Sequence, residues 1–176
     1  MGSGPTPSQT IGPFFHDALL DEDRSQLVAP DHPGAIRIEG TVYDGAGDPV
    51  PDAMVEIWQA DPAGRYDEGF SGFGRSDTVD GGSFSFVTVK PGPVPGPDGG
   101  TQAPHIMVSV FARGLLKRVV TRIYFSDEEE ANANDPVLSS VEVPELRSTL
   151  VAHDEGDALR FDIVLEGRDA TPMEDH

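Results

Sequence analysis

Runs of alternating apolar and polar residues, closed off by clusters of glycine and proline, restrict this chain more than any other feature. Residues 35–43 place Ile36, Ile38 and Val42 on one side and Arg37, Glu39 and Thr41 on the other. That period of two is the period of a strand with one buried face. The same reading predicts strands over 53–59, 83–89, 105–111, 118–125 and 159–165. Asp44-Gly-Ala-Gly-Asp-Pro49 and Asp80-Gly-Gly82 are the turns between them. Residues 105–111 and 118–125 form a predicted antiparallel pair. Twenty glycines and 16 prolines in 176 residues favour many turns over long helices. The expected fold is all-β: an antiparallel β-sandwich with short helices.

Two short helices are expected. Ser126-Asp-Glu-Glu129 has the form of a capping box. Residues 144–152 start with a proline, which a first helical turn accepts because its missing N–H has no partner there anyway. Residues 91–100, rich in proline, read as an ordered loop. The first 34 residues form an irregular arm, interrupted by Pro5, Pro7, Pro13, Pro30 and Pro33. The arm nevertheless carries Ile11, Phe14, Phe15, Leu19 and Leu20, so it is expected to pack on its own core or on another chain. The division is an arm over 1–34, a sandwich over 35–167 and a solvated tail over 168–176.

The charge narrows the function. Twelve basic residues against 31 acidic ones leave a net charge of −19. Nucleic acids and anionic membranes require a basic face, so both are disfavoured as partners. With no cysteine there is no disulfide, thiolate nucleophile or cysteine-held metal. The amino terminus lacks the basic and apolar pattern of a signal peptide, and a cytoplasmic location is expected.

Residue patterns alone do not assemble a catalytic site. There is no Gly-x-Ser-x-Gly elbow and no phosphate-binding glycine loop. The five histidines, His16, His32, His105, His153 and His176, never pair at the two- to four-residue spacing that puts two imidazoles on one metal. His105 heads an apolar strand, a position that equally suits a core or rim histidine with a satisfied hydrogen bond. Tyr66 stands in a glycine-bearing loop, where it reads as a rim aromatic.

Taken in order, however, several segments resemble the intradiol ring-cleaving dioxygenases. They are Thr6-Pro-Ser-Gln-Thr-Ile-Gly-Pro-Phe-Phe15, Gly40-Thr-Val-Tyr-Asp-Gly45, Val55-Glu-Ile-Trp-Gln-Ala-Asp61 and Gly64-Arg-Tyr66. Further along come Phe73-Gly-Arg75, Val89-Lys-Pro-Gly-Pro93, Ala103-Pro-His-Ile106, Phe111-Ala-Arg-Gly114, Thr121-Arg-Ile-Tyr-Phe125 and Arg160-Phe-Asp-Ile163. The resemblance runs from about Thr6 to Gly167. It implies a β-sandwich that inserts both atoms of dioxygen into a catechol ring, between the hydroxyls. The cofactor so implied is a non-haem Fe(III) held by two tyrosines and two histidines.

Carried onto this sequence, those four positions are Tyr66, Val94, His105 and Met107. One tyrosine and one histidine are gone. Valine offers no donor, and methionine offers a soft thioether ill suited to ferric iron. The resemblance therefore implies a chain without catalytic residues of its own. Fe(III) is expected on a homologous beta subunit, within a higher-order alpha–beta oligomer that cleaves the aromatic acid protocatechuate with O2 to 3-carboxy-cis,cis-muconate. Thr10, Phe14 and Arg113 match positions that border the partner's substrate pocket. Phe14 stands where a tyrosine is common, so only its aromatic wall is expected to persist. Two other readings stay open: a stand-alone intradiol dioxygenase with an altered metal site, and a non-enzymatic β-sandwich binding module.

Overall fold

The computed structural model describes residues 24–66, 69–96, 99–112, 118–165 and 171–172. The alternating runs form strands where the pattern places them. β1 (Ala35–Tyr43), β2 (Ala53–Gln59) and β4 (Ser83–Val89) match their predicted limits, and β7 (His105–Ala112) and β8 (Val119–Phe125) lie within a residue of theirs. β3 (Phe73–Asp77), β5 (Val94–Pro95), β6 (Thr101–Gln102), β9 (Val151–Asp154), β10 (Leu159–Arg160) and β11 (Ile163–Val164) complete the set. The helices are α1 (Glu129–Ala133), α2 (Pro136–Ser139) and α3 (Pro144–Ser148).

Two layers face each other. One holds β3-β2-β7-β8, antiparallel throughout. The other pairs β4 antiparallel with β1, whose opposite edge takes β10 and β11. The body is thus the expected antiparallel sandwich, but the joins β1–β10, β1–β11 and β8–β9 are parallel.

β9 is the hinge between the layers. Its first half (Val151, Ala152) pairs with Tyr124 and Phe125 of β8, and its second half (His153, Asp154) pairs with Arg160 and Leu159 of β10. The opposite seam is sewn by residues 24–27. Arg75 N donates to Arg24 O (2.9 Å) on the β3 side. Val87 N donates to Ser25 O (2.9 Å) and Leu27 N to Val87 O (2.8 Å) on the β4 side.

Between the layers lie Ile38, Val42, Val55, Ile57, Phe84, Phe86, Ile106, Val108, Val110, Ile123, Phe161 and Ile163, all essentially inaccessible. Each such side chain stabilises the fold by ~1.5–3 kcal/mol relative to exposure. A second, smaller cluster joins Ala103, Tyr124, Leu138 and Leu150 beneath the helices.

Several expectations need correction. The predicted strand over 159–165 breaks at Phe161 and Asp162. Phe161 N donates to Glu39 O (2.8 Å), and the Asp162 carboxylate accepts from Thr41 N (2.9 Å), so a side chain replaces a ladder carbonyl. Gly40 permits this approach, because a Cβ there would lie 1.8 Å from the Phe161 carbonyl oxygen.

The helix expected over 144–152 stops at Ser148. Leu150 O accepts from Tyr124 N (2.7 Å), so the edge of β8 draws the chain into β9. The capping box does not form. α1 starts at Glu129 without a side-chain cap, while Asp127 and Glu128 bind Lys90. β3 lacks alternation and forms against β2 through polar pairing, with Arg75 and Glu56 opposite each other at 2.7 Å.

Candidate functional site

The ends of β2 and β4 set the geometry of the four ligand-like positions. Gln59, buried at the end of β2, reaches across the core. Its Nε2 donates to Val89 O (2.7 Å) and Ala60 O (3.1 Å), and its Oε1 accepts from Thr88 Oγ1 (2.6 Å). With every polar atom satisfied, this buried amide pins the two loops that leave those strands.

The first loop turns on Asp61, whose Oδ1 accepts from Ala63 N and Arg65 N (2.9 Å each). Gly64 then adopts a positive φ of 81°. A Cβ at Gly64 would sit 2.1 Å from Pro93 O, so the loop lies directly against the second loop. Gly92 N donates to Asp61 O (2.9 Å) and ties the two together. Lys90 anchors the second loop by ion pairs to Asp127 (3.0 Å) and Glu128.

Each ligand-like position then has a definite place. Tyr66 is half-exposed and stacks on Trp58, with ring centroids 5.7 Å apart and planes at 13°. Burial pushes the Tyr66 phenol pKa up, and the charge of Arg122 partly offsets the rise. Val94 is buried in β5, opposite Gln102 of β6. His105 heads β7, 5% exposed, with Nδ1 2.8 Å from Ala103 O. A carbonyl only accepts, so Nδ1 carries the hydrogen. Met107 lies two residues on, on the same outer face of β7, flanked by Trp58 of β2 and Arg122 of β8.

The four positions thus converge through shared neighbours on one patch of the β2–β7–β8 layer. Thr10, Phe14 and Arg113 lie outside the described residues.

The structure adds residues that the sequence reading passed over. Arg122 Nη1 donates to Gln102 Oε1 (2.7 Å) and to Tyr124 Oη (3.4 Å). The Tyr124 hydroxyl in turn donates to Asp135 Oδ1 (2.9 Å). Burial, and then the negative charge of Asp135, raise the Tyr124 pKa far above the ordinary phenol range, so it stays a neutral donor.

Asp135 is wholly buried and accepts from four donors. They are Ala103 N (2.8 Å), Tyr124 Oη, Val137 N (3.0 Å) and Leu138 N (2.9 Å). It caps α2 and holds the segment leading into His105. An aspartate directly before Pro136 is an N-cap followed by proline at the first helical position, a signal legible in the sequence.

As a donor set the patch does not fit ferric iron. Val94 has no donor atom and Met107 has only a thioether. Of the four positions only the Tyr66 hydroxyl and a His105 ring nitrogen remain as ligand atoms, and a guanidinium stands opposite Met107. Among the described residues no three His, Cys, Asp or Glu side chains gather into a metal-holding group.

Comparison with known proteins gives consistent relatives. A dioxygenase family model matches residues 10–167. The alpha chain of protocatechuate 3,4-dioxygenase from Pseudomonas putida is 43% identical over 94% of this chain and 94% of its own. The beta chain of the Burkholderia cepacia enzyme is 36% identical over 95% of this chain and 78% of its own. Among solved structures, the dioxygenase domain of a dioxygenase–carbohydrate-binding fusion protein from Streptomyces sp. SirexAA-E superposes with a TM-score of 0.60. It is 29% identical and covers 82% of this chain and 88% of that one.

Proposed function

Because the chain belongs to the intradiol ring-cleaving dioxygenase family, we propose that it is the alpha-type subunit of a protocatechuate 3,4-dioxygenase. In this reading it keeps the family fold, holds no iron, and completes the active site of a homologous beta chain. The observation that carries the reading is the loss of two of four ligands, Val94 and Met107, on an otherwise intact scaffold. The two ligand residues that persist, Tyr66 stacked on Trp58 and His105 bonded to Ala103 O, supply at most two of the four ligands. Similarity to both an alpha and a beta chain supports a pair of homologous subunits, assembled into a larger oligomer in the cytoplasm.

Ferric iron on the beta chain supplies Lewis-acid activation of the catechol. This chain contributes shape, dryness and charge. Within the arm over 1–34, residues 24–27 stitch this chain's own layers, and the part before them packs on the partner, with Ile11, Phe14 and Phe15 as its apolar anchors. The Thr10 hydroxyl and the Phe14 ring border the substrate, and the Arg113 guanidinium faces its carboxylate. A local cation matters because a chain of net charge −19 repels a benzoate anion at long range. Of these groups the sandwich over 35–167 carries Arg113. The tail over 168–176, expected to be solvated, instead buries Thr171, which pairs with Val164 through two bonds of 2.8 Å, while Pro172 O accepts from Thr121 Oγ1 (2.6 Å). The product is 3-carboxy-cis,cis-muconate.

Co-expression with an iron-bearing beta chain tests the proposal. The pair should consume protocatechuate and O2 with ring opening, and the purified alpha-type chain alone should be inactive and colourless. Stoichiometric ferric iron in the chain alone would refute it.

A further inference from the structure

The iron-free reading rests on missing donors, but the patch also holds a charge in the wrong place. Arg122 is the cross-strand partner of Met107. Its guanidinium bonds Gln102, which is the cross-strand partner of Val94. It also bonds Tyr124, which lies opposite His105 with the two rings 5.8 Å apart. Its charge reaches the Tyr66 phenol, the fourth position. One cation is therefore the direct cross-strand neighbour of Met107 and stands one hydrogen-bonded residue away from Val94 and from His105. Gln102 and the Tyr124–Asp135 pair hold it in place from behind.

We infer that Arg122 closes this patch to metal cations by its charge, so that restoring a tyrosine at 94 and a histidine at 107 is not enough to recover ferric iron. The inference builds on the reading that the chain itself binds no iron, and it adds a second, independent barrier. Two like charges in a partly buried site repel strongly, because solvent screens them poorly. A guanidinium holds its charge at any working pH, so it cannot make room for the metal by losing a proton. Nor can Arg122 easily swing out, since Gln102 and Tyr124 would lose their shared donor.

The test compares three variants of the full chain by titration with ferric iron, read by metal content and by the tyrosinate charge-transfer band. They are Val94→Tyr with Met107→His, the same pair with Arg122→Gln, and the same pair with Arg122→Lys. The glutamine variant should bind ~100-fold more tightly than the double variant, a gap that like-charge repulsion at low screening supplies. The lysine variant should stay near the double variant. Equal affinity of the double and glutamine variants, including no measurable binding by either, would overturn the inference. So would a lysine variant as tight as the glutamine one.

If tyrosine at 94 prevents folding, Met107→His with and without Arg122→Gln is titrated with Zn²⁺ instead. The same order is expected, and equal affinities overturn it. Iron bound by the unaltered chain would instead sink the parent reading, so the two failures are distinct.

Discussion

Asp135 offers the sharpest test of how the patch is held. Replacing it with alanine removes the N-cap of α2, a loss of about 1 kcal/mol. It also strands the Ala103 N–H and the Tyr124 hydroxyl, both buried, and each unsatisfied donor costs ~1–3 kcal/mol. With some relaxation toward water, the total is about 3–5 kcal/mol.

Urea unfolding at neutral pH, followed by tryptophan fluorescence from Trp58, measures it, provided the slope with denaturant is unchanged. Tyr124→Phe leaves Asp135 three of its four donors and Arg122 its shorter bond to Gln102, and should cost about 1 kcal/mol. In the Tyr124→Phe background the alanine change should cost less, with a coupling of at least ~0.5 kcal/mol. A loss under ~1 kcal/mol for Asp135→Ala, or full additivity of the two changes, would refute the view that this carboxylate clamps three segments.

Other outcomes follow from equally local features. Gly40→Ala forces a methyl onto the Phe161 carbonyl and should cost at least ~2 kcal/mol or abolish soluble expression, as seen in thermal melts. A wild-type melting temperature in that variant would mean that the β1–Phe161 approach is not tight. Lys90 is pulled down by burial, but its bonds to Glu128 and Asp127 outweigh this and raise its pKa. Its contribution is therefore full below the ordinary lysine range and fades as pH climbs through the raised value. Because the pair is partly exposed, Lys90→Met should cost under ~1 kcal/mol at neutral pH. The deficit should shrink in strongly alkaline buffer, and a deficit that grew there would reverse the sign. In the assembled enzyme, Arg113→Ala should raise KM for protocatechuate while leaving the melting temperature within a degree or two; an unchanged KM would place Arg113 in solvent.

The strands were legible because their signal is local. Ile36, Ile38 and Val42 declare a buried face of β1 whatever lies opposite, and the same holds for Phe84 and Phe86 in β4. β3 was illegible because its pairing depends on Arg75 meeting Glu56, two residues 19 apart in sequence. The capping box at Ser126 had the right letters and failed because the helix starts only at Glu129, so Ser126 does not stand at the cap, and the two acids between them turn to Lys90, far away in sequence. Of the patch, Tyr66 and His105 were readable through a family resemblance and Asp135 through its aspartate–proline cap, whereas the place of Arg122 depends on the pairing of β7 with β8.

By itself the sequence determined which atoms are available: no donor at Val94, a thioether at Met107, an excess of acid over base and strands punctuated by turns. Those are properties of single residues and their near neighbours. Only the tertiary structure decided that Arg122 stands beside Met107, that four donors meet on Asp135, and that β9 divides itself between two layers. The reason is register. Which side chains meet across a sheet is set by long-range pairing, and a shift of one residue would turn each of them to the opposite face.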